Sequence, residues 1–201
     1  MKKTILLFIL ILWGAVSASA QLYRYLDTNQ GLSSRRVIAI EKDAKGYMWF
    51  LTHEGVDRYN GKQFTHYPLS DGNRFIQQPP NLSHLQVDGA GNIWVIGKNG
   101  YIFKYNSYQN KYDLVMNFAD SLQTTRRLPL THASIDRDNR LWLCTRNAQY
   151  IYHTHNQQIE KLDSPIQEEI TFLRQGEDNK YFIGTNHNIY LAQLNGNQLT
   201  V

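Results

Sequence analysis

Three indoles and a phenyl ring recur at nearly even intervals along the chain: Trp49, Trp94, Trp142 and Phe182 lie 45, 48 and 40 residues apart, each inside a copy of one short pattern. The copies are DAKGYMWFLTHEGVDRY from Asp43, DGAGNIWVIGKNGYIFKY from Asp88, DRDNRLWLCTRNAQYIY from Asp136 and the weaker EDNKYFIGTNHNIYLA from Glu177. A period of this length constrains the fold more than any local preference. Each copy must be one supersecondary unit that buries its apolar face against the next.

Every copy has the same internal grammar. An apolar or alternating run comes first, as in Val37-Ile38-Ala39-Ile40, Leu82 to Val87 and Ile170-Thr171-Phe172-Leu173. A polar turn follows, with Gly46, Gly91, Asn139 or Asn179 three residues before the aromatic, and after the aromatic strand a second turn holds Gly55, Gly100, Ala148 or Asn188. A Tyr-rich run and a more polar one complete the unit. Runs of this length bounded by Gly, Asn and Asp read as strands joined by tight hairpins, and no segment after residue 20 has helical periodicity.

The expected fold is therefore all-β, with four-stranded repeats at about 35–68, 82–116, 131–163 and 168–201. A sandwich also has regularly spaced strands, but it does not need the same aromatic at the same place in each unit. Radially packed sheets reuse one contact at every interface, so Trp49, Trp94, Trp142 and Phe182 are read as the wedges between blades of a β-propeller. An open arc of four blades is expected, with a closed four-blade ring as the alternative, and 22–26 is read as a strand donated to close a ring.

The N-terminus carries Lys2 and Lys3, an apolar run from Ile5 to Val16 and Ala18-Ser19-Ala20 before Gln21, the layout of a cleaved secretory signal peptide over 1–20. The run is too short and interrupted for a membrane span. Without the two signal lysines the 21 basic residues become 19 against 17 acidic ones, a net +2 too small and scattered to point to nucleic acid or an anionic membrane. Cys144 is the sole cysteine, so no intrachain disulfide is available, and its apolar surroundings mark it as a core residue.

Gly31-Leu32-Ser33-Ser34, Val37-Ile38-Ala39-Ile40, Asp43, Gly46, Trp49-Phe50, Thr52, Gly55-Val56, Arg58-Tyr59-Asn60-Gly61 and Phe64 closely resemble the two-component-regulator propeller repeat. The second copy matches through Asp88, Gly91, Ile93-Trp94-Val95, Gly97, Gly100 and Tyr105; the third lacks the turn glycines, and the fourth has Phe182 for Trp but keeps Ile183-Gly184-Thr185. The resemblance implies the periplasmic sensing part of a hybrid two-component system, responding to oligosaccharides from polysaccharide breakdown and able to dimerise through the full sensor. No kinase, receiver or membrane segment follows the fourth repeat, so an N-terminal piece or a truncated product is expected.

No catalytic, metal or cofactor residues are assigned from the sequence, and the ligand-binding residues are left unknown. Asp43, Asp88 and Asp136 could be pictured as converging carboxylates or calcium ligands, but each stands beside a turn, where Asp bonds its own backbone. His153 and His155 share a strand face without a recognisable third ligand. Glu54 and Asp57 are a conceivable glycosidase pair with no further support. Tyr59, Tyr105 and Tyr152 recur near one repeat position and read as packing, whereas one or two of Tyr23, Tyr25, Tyr47, Tyr101 and Tyr108 are expected to line a pocket. The leading functional expectation is a non-enzymatic glycan-sensing propeller; a propeller-type glycan lyase or hydrolase and an inert truncated product are the alternatives. An enzyme would show ionisable groups with perturbed pKa values in the central cleft.

Overall fold

The structure, a computed structural model, describes residues 23–76, 83–124 and 128–201. Residues 1–20, expected to be a signal peptide, lie outside the described residues, as do Leu22 and Leu82.

Among the described residues sixteen strands form four separate sheets, each of four sequence-consecutive antiparallel strands. The first contains β1 (Val37–Lys42), β2 (Met48–Thr52), β3 (Gly55–Tyr59) and β4 (Phe64–Tyr67), and the second β5 (Ser83–Val87), β6 (Ile93–Gly97), β7 (Tyr101–Asn106) and β8 (Lys111–Asn117). In the third are β9 (His132–Ile135), β10 (Arg140–Cys144), β11 (Gln149–His153) and β12 (Gln158–Lys161), and in the fourth β13 (Ile170–Gln175), β14 (Lys180–Thr185), β15 (Ile189–Asn195) and β16 (Gln198–Thr200). A single helical turn, α1 (Phe118–Ser121), follows β8.

The first strands β1, β5, β9 and β13 lie side by side in chain order, so the sheets radiate from a common inner edge. This is the blade arrangement of a propeller. The second strand of a blade is sandwiched between neighbours, and β6 is accordingly buried at every position. The outer β12 and β16 are mostly exposed.

Three apolar cores fill the three interfaces. Trp49 and Leu51 pack on Leu85, Ile93, Val95 and Phe103 of the second blade. Trp94 and Ile96 meet Leu141 and Leu143 of the third, and Trp142 and Cys144 meet Tyr181 and Ile183 of the fourth. Each wedge aromatic thus belongs to the face that its blade turns toward the next one.

Phe182 occupies the same pairing register, opposite Arg174 as Trp49 is opposite Glu41. No described blade covers it, and it is 49% exposed. Register places Phe172, Phe182, Ile189 and Leu191 together on that outer face, and all four are exposed. The described residues form an open arc rather than a ring.

The other end of the arc is sealed differently. Residues 23–26 form no strand, contrary to the donated strand expected there. They lead into a 3-10 turn, Thr28–Gln30, whose Asp27 and Gln30 make a capping box and which Gly31 ends at φ 102°. That bend folds Leu26 and Leu32 over Phe50, Tyr59 and Phe64 on the first blade's free face. Asp57 fixes the return: its buried carboxylate accepts hydrogen bonds from the Ser33 amide (2.9 Å) and hydroxyl (2.6 Å).

Candidate functional site

The repeated aspartates organise the hairpins beside the wedges. Oδ1 of Asp43 accepts from the amides of Lys45 and Tyr47, that of Asp88 from Ala90 and Asn92, and that of Asp136 from Asp138 and Arg140. Oδ2 accepts from the indole six residues on: Trp49 at 2.9 Å, Trp94 at 2.9 Å and Trp142 at 3.0 Å. One carboxylate therefore shapes the turn and satisfies the buried Trp N–H. In the fourth blade the partners are absent together, with Gly176 and Phe182 at their places. Gly46 and Gly91 have left-handed backbones, and Asn139 and Asn179 take the same conformation in the later blades. A Cβ on Gly55 would lie 2.4 Å from the Tyr67 carbonyl oxygen, while Gly100 turns at φ 88°.

The same turns frame a cavity of about 580 Å³ between the first two blades, lined by Tyr47, Trp49, Arg58, Asn92, Tyr105 and Asn110 among others. Arg58 stands opposite Trp49 in the ladder. Its guanidinium carbon lies 5.0 Å from the ring centre of Tyr47, 5.5 Å from those of Trp49 and Tyr67, and 6.0 Å from that of Tyr105. Nη1 donates to the Tyr105 hydroxyl at 3.1 Å, and Nε is buried without a partner. Asn110, held at φ 52°, accepts from both Tyr105 (2.7 Å) and Tyr67 (2.9 Å). Burial, with the neighbouring Tyr105 next, pushes Tyr67 well above the usual phenol range. Burial does the same to Tyr112, whose hydroxyl has no partner.

A second cavity, about 700 Å³, opens beyond Tyr67 and Tyr112 between the outer strands. Its charged side chains have partners, Lys111 with Asp113 at 3.0 Å and Asp71 with Arg74 at 3.0 Å, and the His66 ring hydrogen-bonds to Asp57 at 2.8 Å. In the Arg58 cavity the guanidinium forms no ion pair with a carboxylate among the described residues.

Near the inner edge, His84 on β5 and His132 on β9 meet edge to face at 5.7 Å. Burial and then Lys98 hold His84 below the usual imidazole range; burial, then His84 and Lys98, bring His132 down to about 4. Nε2 of His132 is buried without a partner. Two neutral imidazoles beside an ammonium can accept a proton or bind a polar ligand, but no carboxylate pairs with them among the described residues.

Other candidates separate. Glu54 is exposed and Asp57 buried against Ser33 and His66, so they do not form a facing pair. His153 and His155 stack at 5.8 Å with His153 near Glu160, and among the described residues no group of three side chains could hold a metal. Tyr23, Tyr25 and Tyr108 are exposed, and Tyr101 accepts from Arg74. Tyr59 and Tyr152 are core residues, but Tyr105, expected to pack alike, lines the cavity. The sequence reading missed Arg58 and Asn110. The Asp-Trp bond had a signal, an Asp six residues before each Trp.

No family model matches the sequence, and no curated protein matches it. Among solved structures, the chain resembles the extracellular domain of the hybrid two-component system BT3049 from B. thetaiotaomicron (TM-score 0.65, 20% identity, covering 88% of this chain and 26% of that one). It also resembles the extracellular domain of the one-component system BT4673 from the same organism (TM-score 0.66, 19% identity, 86% and 23%). Virginiamycin B lyase from Staphylococcus aureus is a third neighbour (TM-score 0.60, 14% identity, 84% and 56%). The chain spans about a quarter of the first two. With the radial order of its four sheets, these likenesses establish the fold as consecutive blades of a β-propeller.

Proposed function

We propose that this chain is the ligand-binding propeller part of an extracytoplasmic sensor and that its ligand is an oligosaccharide received between the first two blades. The observation that carries the reading is the Tyr47, Tyr105, Arg58 and Asn110 cavity. Aromatic faces suit the apolar face of a pyranose, flanking donors and acceptors suit its hydroxyls, and the volume lies in the ordinary range for small-ligand sites. Support for the sensor context comes from the extracellular domains it resembles and from the secretory pattern at 1–20, which together favour the periplasm. Among the described residues no helix is long and apolar enough to cross a membrane.

A site spanning two blades suits sensing, because a ligand touching both favours one blade arrangement over another through its differential affinity. Dimerisation would belong to the full sensor. Calorimetric titration of the chain with neutral and acidic oligosaccharides tests the reading. Saturable binding without product, weakened by Tyr105→Ala, is expected; no binding to any of them would overturn it.

The His84-His132 pair favours a second reading, a propeller-type lyase or hydrolase. It requires product to accumulate from the same glycans and turnover to vanish in His132→Ala.

A further inference from the structure

The cation in the cavity has more hydrogen-bonding capacity than the protein uses. A guanidinium offers five N–H donors, whereas among the described residues that of Arg58 makes one hydrogen bond, to Tyr105. No carboxylate forms an ion pair with it among the described residues. Asp43, the acidic residue lining the same cavity, is already occupied by two backbone amides and the Trp49 indole. The surrounding rings offset part of the desolvation through their faces but accept no in-plane N–H bonds. Lys45, on the rim, adds a second positive charge.

From this imbalance we infer that the cavity selects an acidic sugar, a uronic acid unit whose carboxylate is held by Arg58 while its ring lies against Tyr47 or Tyr105. The inference rests on the sugar-binding reading above and adds the ligand's charge. A planar carboxylate matches the guanidinium fork, and its negative charge supplies the missing counterion. A neutral sugar would leave the cation unmatched.

The test compares oligogalacturonate with the same oligomer after reduction of its carboxyl groups to alcohols, measured by calorimetry on the chain and on Arg58→Gln and Arg58→Lys. The acidic oligomer should bind about ten- to a hundredfold more tightly, the scale of a charge-assisted bidentate contact. Arg58→Gln should abolish that preference, and Arg58→Lys, which keeps the charge but not the fork, should retain part of it. Thermal unfolding of each variant establishes that it is folded; if Arg58→Gln is not, Arg58→Lys alone decides, by losing part of the preference or none. Equal binding of both oligomers, unchanged in the variants, overturns the charge assignment and leaves the sugar-binding reading standing. Binding of a sulfated disaccharide in place of the uronate overturns the carboxylate. Absence of binding to every oligosaccharide overturns both.

Discussion

Replacing Asp88 by Asn should destabilise the chain by about 3–5 kcal/mol, and about 2 kcal/mol of that loss should vanish when Trp94 is already Phe. Asp88 is 8% exposed and Trp94 2%. The carboxylate takes four hydrogen bonds, from the amides of Ala90 (3.0 Å) and Asn92 (2.8 Å), from Asn92 Nδ2 (2.8 Å) and from Trp94 Nε1 (2.9 Å). In Asn the oxygen can still face the two amides, but its NH₂ then meets two donors. A hydrogen bond to a charged group is worth about 1.5–3 kcal/mol, and a buried N–H without a partner costs about 1–3 kcal/mol. Trp94→Phe removes the N–H and part of the ring, at about 2–3 kcal/mol for the space left behind. In that background Asp88→Asn no longer leaves an indole unpaired, so the double-mutant cycle should return a coupling of about 2 kcal/mol. Urea unfolding of the four proteins measures it. Additivity within about 0.5 kcal/mol would refute the view that one carboxylate joins turn to wedge.

Trp142→Ala should cost about 3–5 kcal/mol because a fully buried ring leaves a cavity, while Phe182→Ala, at the same repeat position but half exposed, should cost under about 1 kcal/mol; thermal unfolding separates them. His132 titrates near 4 in the fold against 6.5 for an ordinary imidazole, so the unfolded chain binds the proton first as pH falls. Stability from this group should be full above pH 6.5 and fall by roughly 2–3 kcal/mol by pH 4, and His132→Gln should flatten that slope in denaturant unfolding. Burial pushes the Cys144 thiol up to about 12, so iodoacetamide should label it only after unfolding, and fast labelling of native protein would contradict its core position.

The architecture was legible because its signal is local and repeated. Glycine or asparagine three residues before each wedge marks a left-handed turn in all four blades, and short runs of three to seven residues between turns mark the strands. Exposure of Phe182 follows from the same register, since the last described blade has no neighbour on that side. The site was hidden because it joins distant positions: Arg58 and Tyr105 are 47 residues apart, and only the packing of two blades brings them together. Tyr105 stands near the repeat position of Tyr59 and Tyr152, so period alone cannot distinguish a cavity wall from a core residue. His84 and His132 sit in short inner strands where nothing in the pattern announces a pair. Residues 23–26, within the strand expected at 22–26, join no sheet for a local reason. The capped turn at 27–31 and the Asp57 tether to Ser33 bend the segment across the blade face instead of along its edge.

Crystallising the chain with the oligosaccharide that binds it most tightly tests the central claim most directly. A sugar ring stacked on Tyr47 or Tyr105, with a polar group on Arg58, is the result expected. Density at the His84-His132 edge, with the cavity between the first two blades empty, would contradict it.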